Sequence, residues 1–182
     1  ADVIATTMRM AHENGVGIGA HPGFMDLAGF GRNRMAVPRG TLQNQIRYQV
    51  AASVGMARSV GAEVRHLKLH GALANMASED EGLARDLYEA ALSVAPDLIV
   101  MVLAATAQER AVKSLGCKWA GEIFADRAYN DDATLVDRSN PGAVIHDADH
   151  AAARMVEMVK AGAIITESGK HIPTRIDTIC LH

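Results

Sequence analysis

Aromatic side chains are scarce in this chain. One Trp, three Tyr and three Phe amount to 4% of its 182 residues, so a core has to be assembled from Ala, Val, Ile, Leu and nine Met. Cysteine is scarcer still. Cys117 and Cys180 are the only two, too few for a disulfide framework and in keeping with reduced thiols in a cytoplasmic protein. The longest apolar run, Leu98 to Ala105, falls far short of the roughly 20 residues that span a bilayer, so no membrane segment is expected. The opening Ala-Asp-Val-Ile-Ala-Thr lacks the basic stretch and apolar stretch of a secretory signal. Positive charge is not in excess either: 18 basic against 21 acidic residues leave a net charge of −3. Lys and Arg are scattered rather than gathered into the patch of a nucleic-acid binder.

What is present suits a globular domain. Apolar residues make up 49%, charged residues 21%, and the mean hydropathy is +0.04, which excludes a disordered or collagen-like chain. The length implies one domain over 1–182.

Helical and extended patterns alternate. Ile4, Met8 and Ala11 keep helical spacing and Gly15 caps them, then Val16 to Ala20 reads as a buried strand. Leu42, Ile46, Val50, Val54 and Ala57 form an apolar stripe ending near Gly61, and Val64 to Leu69 reads as a strand. Ser78-Glu-Asp-Glu81 and Thr106-Ala-Gln-Glu109 are capping boxes opening two further helices, the second stopping near Gly116. Between them Asp97 to Leu103 is a strand, and Lys118 to Ile123 is another. Asp147 caps a helix closed by Gly162, Ile164 to Ile172 suggests a hairpin around Ser168-Gly169, and Ile176 to Leu181 is the last strand. This α-β-α-β-α-β-α-β-loop-α-β-β order implies a parallel sheet covered by helices, either an open doubly wound sheet or a barrel. The irregular stretches 22–40 and 124–146 are polar and Gly-rich, as functional loops are.

In parallel α/β folds ligands gather at the carboxyl ends of strands. His21 follows the first strand, with Gly17 and Gly19 leaving space beside it, although a His before Pro also suits a plain turn. On the second strand His66, Lys68 and His70 share one face and Leu67 and Leu69 the other. The leucines would pack on helices while the polar row lines a lumen or cleft; an edge strand with its polar side in water is the competing reading. After the fourth strand come Glu122, Asp126, Arg127 and Tyr129. Carboxylates there suit proton transfer or metal ligation, and an Arg suits a carboxylate or phosphate clamp. A surface Asp–Arg pair is the alternative. His21, His70 and His182 with carboxylates at 122, 126 and 177 supply donors for a divalent metal, but not at the spacing of a signature such as HExxH. Gly29-Phe-Gly31-Arg32 is too short for a phosphate-binding loop, and Cys117 and the Met residues read as structural.

Taken together, several blocks resemble the LamB/YcsF family. They are Gly19-Ala-His21-Pro22 with Asp26-Leu-Ala-Gly29-Phe30-Gly31-Arg32, Leu67-Lys68-Leu69-His70-Gly71-Ala72-Leu73 with Asn75, and Glu122-Ile-Phe-Ala-Asp126-Arg127-Ala-Tyr129. Arg138, Pro141-Gly-Ala-Val-Ile-His146-Asp147 and Asp177-Thr178-Ile-Cys180-Leu-His182 complete the set. The blocks keep the family's order along essentially the whole chain and are jointly specific. The resemblance implies a distorted seven-stranded β/α barrel similar to glycoside hydrolases and deacetylases. It also implies an ATP-dependent opening of 5-oxo-L-proline to L-glutamate, carried out with B-type and C-type 5-oxoprolinase subunits. Family members usually begin with an acidic Asp-x-Asn-x-Asp-like strand and a strand ending near His-Ala-Gly-Asp, and carry Gly-Asp after the final His; these are absent. A barrel incomplete at both ends, with core surface exposed beside the first strand, is therefore expected.

Within that resemblance Lys68, His70, Glu122 and Asp126 are the expected catalytic groups. His21, Arg32, Asn75, Arg127, Tyr129 and Arg138 are the expected substrate contacts, and Asp177 is expected to shape the site. ATP is the expected cosubstrate, with Mg or Zn at His21, His70 and His182 as the candidate metal. Two other functions fit the same residues: a metal-dependent deacetylase acting on an N-acetylated sugar, and a non-catalytic subunit that presents 5-oxoproline to its partners.

Overall fold

The computed structural model describes residues 1–181. Thirteen elements follow one another: α1 (Asp2–Glu13), β1 (Ile18–Ala20), α2 (Arg39–Ser59), β2 (Val64–Lys68), α3 (Gly71–Glu79), α4 (Glu81–Leu92), β3 (Ile99–Leu103), α5 (Ala107–Leu115), β4 (Trp119–Phe124), α6 (Ala148–Ala161), β5 (Ala163–Ile165), β6 (His171–Pro173) and β7 (Thr178–Cys180). Five strands form one sheet in the order β1-β2-β3-β4-β7, every pair parallel. A doubly wound sheet reverses its strand order at a switch point; here each strand lies beside its predecessor without reversal. Right-handed crossovers then place successive helices on the same side. This is the wall of a barrel, and it decides between the two architectures that alternation alone allowed. The wall is an open arc with β1 and β7 at its edges, and the other two of the seven strands, β5 and β6, form a separate antiparallel hairpin. Val3, Ile4, Met10 and Val16, on α1 and just before β1, are exposed apolar side chains. No helix among the described residues is long and apolar enough to cross a membrane.

The helix-covered side of the sheet is the main core. Leu67, Val100 and Val102 are fully buried there with Leu42, Ile46, Val50, Leu87 and Tyr88 of the helices. The low aromatic content is met as expected, by close-packed Ala, Leu and Val. Side chains alternate across a strand, so Lys68, Met101 and Glu122 are left on the opposite face, and all three line a cleft.

Helix termini follow the sequence signals with one displacement. Thr106 accepts from the Gln108 N–H and Asp147 from the His150 N–H, while Gly116 and Gly162 close their helices in the left-handed conformation. The cap expected at Ser78 is instead Asp80, which accepts from the Leu83 N–H; Ser78 belongs to α3. That helix starts straight after His70, and its apolar Ala-Leu-Ala sequence carries no capping residue to announce it.

Asp177 sits at the amino end of β7, away from the strand ends that carry the site. Its Oδ2 accepts from the Gly121 N–H at 2.8 Å, its own N–H donates to the Gly121 carbonyl at 2.8 Å, and its Oδ1 accepts from Arg175 Nε at 2.8 Å. The residue therefore clasps β7 to β4, and the expectation that it shapes the site or ligates a metal is corrected. A Cβ at Gly121 would come within 2.4 Å of the Arg175 carbonyl oxygen, so only Gly allows this approach. Gly121→Ala is expected to cost about 1–3 kcal/mol by forcing the joint apart, read as a lower midpoint in urea unfolding.

Candidate functional site

The cleft on the polar face of the sheet has a volume near 910 Å³. Its floor is an ion pair: Lys68 Nζ of β2 lies 2.7 Å from Glu122 Oε2 of β4, reaching over Met101 of the intervening strand. The Glu122 side chain is 4% exposed and that of Lys68 23%. Lys68 Nζ also donates to Cys180 Sγ at 3.1 Å and stands 4.8 Å from the centre of the Phe124 ring. A carboxylate buried this far costs several kcal/mol unless it is neutralised, and Lys68 supplies that neutralisation. Burial pulls the Lys68 ammonium down, but the hydrogen bond and charge of Glu122, with Cys180, outweigh it, so the net direction is up from the ordinary 10.5. Burial pushes the Cys180 thiol up, against the opposing pull of Lys68.

Above this pair stand two histidines. His70, the residue before α3, bonds through Nε2 to the Phe30 carbonyl at 2.7 Å and through Nδ1 to His21 Nε2 at 3.1 Å. His21 Nδ1 bonds to the Lys68 carbonyl at 2.7 Å. The rings meet edge-on, 4.9 Å apart at 76°. Gly31 makes the arrangement possible: its φ is +66°, and a Cβ there would lie 2.9 Å from the His70 ring. The space expected beside His21 is used otherwise, because a Cβ at Gly19 would meet the His66 ring at 2.2 Å. His66 thus fills the room that Gly19 leaves, deeper in the sheet, where burial and the Lys68 charge hold its imidazole below the usual value.

Two loops roof the cleft. In the first, Asp26 accepts from the Gly29 N–H and from Asn33, Arg34 pairs with Glu79, and the Arg32 guanidinium stands 5.5 Å from the Phe30 ring centre. In the second, Arg127 donates from Nε to the Ala143 carbonyl at 3.2 Å and from Nη2 to the Val136 carbonyl at 2.7 Å. Burial, then the Arg138 charge, lower its pKa. Arg154 of α6 holds the same loop through the carbonyls of Ala125 and Arg127.

The structure therefore brings Lys68, His70, Glu122, His21, Arg32, Asn75, Arg127 and Arg138 to one cleft. It does not bring Asp126 or Tyr129 to its surface. Asp126 is buried, and Tyr129 is fully buried with its hydroxyl accepting from the Phe124 N–H at 2.7 Å; burial drives its pKa well upward. Tyr129 fixes the strand end that carries Phe124. His182 lies outside the described residues. Among those described, no group of three or more His, Cys, Asp and Glu is close enough to hold a metal. Sequence reasoning passed over Phe124 and Cys180 as site residues; strand alternation was the available signal, because each lies two positions from a residue facing the same way, Glu122 and Thr178.

The ion pair yields a stability prediction. Lys68→Met leaves Glu122 uncompensated and should cost about 3–5 kcal/mol, most of it recovered in Lys68→Met/Glu122→Gln. Because the Lys68 pKa rises on folding, its contribution is complete below the ordinary 10.5 and fades only as pH climbs through the raised value. Urea unfolding of the three proteins at neutral pH, repeated at alkaline pH, reads both effects.

The LamB/YcsF family model matches residues 1–182. The A-type 5-oxoprolinase subunit of Ruegeria pomeroyi is 69% identical over 181 residues, covering 100% of this chain and 72% of that protein. Its counterpart in Gluconobacter oxydans is 46% identical over 181 residues, again covering 100% of this chain and 71% of the relative. Among solved structures, the lactam utilization protein from Thermus thermophilus superposes with a TM-score of 0.88 at 36% identity, over 97% of this chain and 72% of that one. An unreversed parallel wall with its polar face toward a cleft, and these matches along the whole length, lead to one assignment: the chain belongs to the LamB/YcsF family.

Proposed function

We propose that this chain is the A-type component of a 5-oxoprolinase, which hydrolyses the lactam of 5-oxo-L-proline to L-glutamate in the cytoplasm, with ATP consumed and with B-type and C-type partner subunits. The observation that carries the reading is the Lys68–Glu122 pair on the floor of a cleft that His70 also lines. The relatives named as A-type 5-oxoprolinase subunits and the lactam utilization protein support it.

A lactam resists water because its nitrogen lone pair is delocalised onto the carbonyl oxygen. Transfer of a phosphoryl group from ATP to that oxygen localises the π system and makes the ring carbon a better electrophile. ADP leaves, water adds to that carbon, and the ring C–N bond breaks as the nitrogen takes up a proton; the resulting acyl phosphate is cleaved by a second water to the carboxylate and phosphate. The chain's own groups suit the hydrolytic half. Lys68, held as an ammonium, opposes the negative charge that develops on the oxygen. Glu122 suits the proton transfers, taking one from the water and returning one to the nitrogen, while His70, its two ring nitrogens engaged by Phe30 and His21, braces the wall of the cleft. Arg32 and Arg138 line the cleft with no carboxylate partner among the described residues; they suit the substrate carboxylate or a phosphate. Asn75, on α3, adds a neutral polar contact. Arg127, committed to loop carbonyls, shapes the wall.

The test is ATP-dependent glutamate release from 5-oxo-L-proline by the assembled subunits. Lys68→Met should lose activity by at least about 100-fold, while Arg32→Ala and Arg138→Ala should chiefly raise KM. Unchanged turnover in Lys68→Met, or hydrolysis that proceeds equally without ATP, overturns the reading.

A further inference from the structure

Phe30 occupies a position that backbone conformation and packing both disfavour. Two successive residues of the first roof loop are left-handed, Phe30 at φ +54° and Gly31 at φ +66°. Glycine takes this conformation freely, but in a bulky residue the Cβ is pressed toward the following carbonyl oxygen. Burial does not offset that strain, because Phe30 is 68% exposed. The bonds that hold the turn are made by its backbone and by other side chains. The Gly31 N–H donates to the Asp26 carbonyl at 2.9 Å, the Gly29 N–H donates to Asp26 Oδ1 at 2.8 Å, and His70 Nε2 bonds to the Phe30 carbonyl at 2.7 Å. None of them uses the phenyl ring. Asn at position 30 could keep all of them with less strain. Tyr48 is as exposed, at 69%, but it lies within the regular helix α2.

The surroundings of the ring supply a reason for it. Phe30 lines the cleft with His70 and Arg32. The His70 ring meets it edge-on, with centres 5.4 Å apart at 88°, and the Arg32 guanidinium carbon stands 5.5 Å from its centre. Most of the residue's surface stays open beside these neighbours. An open aromatic face takes the apolar face of a ligand as both shed water. A guanidinium at its side takes an anionic group of the same ligand.

We propose that Phe30 is a specificity-determining residue which, with Arg32, selects a small ring bearing a carboxylate. The face of the ligand ring rests on the phenyl group while its carboxylate meets the guanidinium. An open-chain amide acid offers the charge but no such face. The inference deepens the proposed function and rests on it only for the identity of the ring, 5-oxo-L-proline.

Phe30→Asn removes the phenyl group while suiting the left-handed backbone. In the assembled subunits it should raise the KM for 5-oxo-L-proline at least about fivefold, with kcat and the KM for ATP kept, as loss of a ground-state contact does. Its urea midpoint should equal or exceed the parent's. Binding is read separately on the chain without partners, by NMR titration with two probes. One is 2-furoate, a planar five-membered ring carrying a carboxylate; the other is N-acetylglycine, an open-chain amide acid. Phe30→Asn should weaken 2-furoate by a similar factor and leave N-acetylglycine unaltered. Arg32→Ala should weaken both, and Tyr48→Ala, outside the cleft, should change neither. A lower urea midpoint in Phe30→Asn, a loss confined to ATP, equal loss of both probes, or undiminished 2-furoate binding overturns the proposal. Glutamate release by the parent reports on lactam hydrolysis itself. If the parent releases none while Phe30→Asn still loses 2-furoate selectively, the 5-oxoprolinase reading fails and the Phe30–Arg32 subsite stands.

Discussion

A carboxylate buried under a parallel sheet has to be answered by a cation, and the Lys68–Glu122 pair is that answer. Two strands that are not neighbours supply its ends, so the pair forms only when β2, β3 and β4 lie in the observed register. A slip of one residue would turn either charge into the helix-covered core. The same alternation that buries Leu67 and Ile123 on one face places Lys68 and Glu122 on the other. Packing energy on the helix side thus fixes the position of the charges on the cleft side, and Phe124 and Cys180 close around them.

The histidine layer depends on the ion-pair layer through the backbone. The Lys68 side chain answers Glu122 while its carbonyl accepts from His21. His70 bonds onward to Phe30, and the adjoining Gly31 carbonyl accepts from the Ala72 N–H at the start of α3. The first roof loop is therefore tied to the floor by hydrogen bonds. A change in that loop reaches His70 through one carbonyl and the start of α3 through a second.

Much of this was legible in the sequence because the signals are local or periodic. Leu67 and Leu69 alternating with His66, Lys68 and His70 announced a strand with one apolar and one chemical face. Thr106, Gly116, Asp147 and Gly162 marked helix ends that the structure keeps. Other features depend on contacts that no period encodes. Asp177 reads as one more acidic group near a strand, yet its partner Gly121 is 56 positions away. Tyr129 and Asp126 follow Glu122 closely, but the chain turns after β4 and carries them inward, since Arg127 and Ala128 pair back onto 143 and 144. Helix α3 was invisible because its first turn has no side-chain cap; the Gly31 carbonyl, from a distant loop, stands in for one.

Barrel walls of this type divide labour between helices that stabilise and loops that react, and here the division runs through single residues. Lys68 is the last residue of its strand and His70 the residue before a helix. Both stand at the point where the chain leaves the sheet. Arg32 and Arg138 are borne instead on the two roof loops. A site built this way carries its charge pair on strands and its arginines on loops. The elements that must be positioned to within a fraction of an ångström sit on strands, and those that need only reach an anionic group sit on loops. In the proposed reading, the floor serves the reacting carbonyl of a small lactam and the loop cations serve its carboxylate.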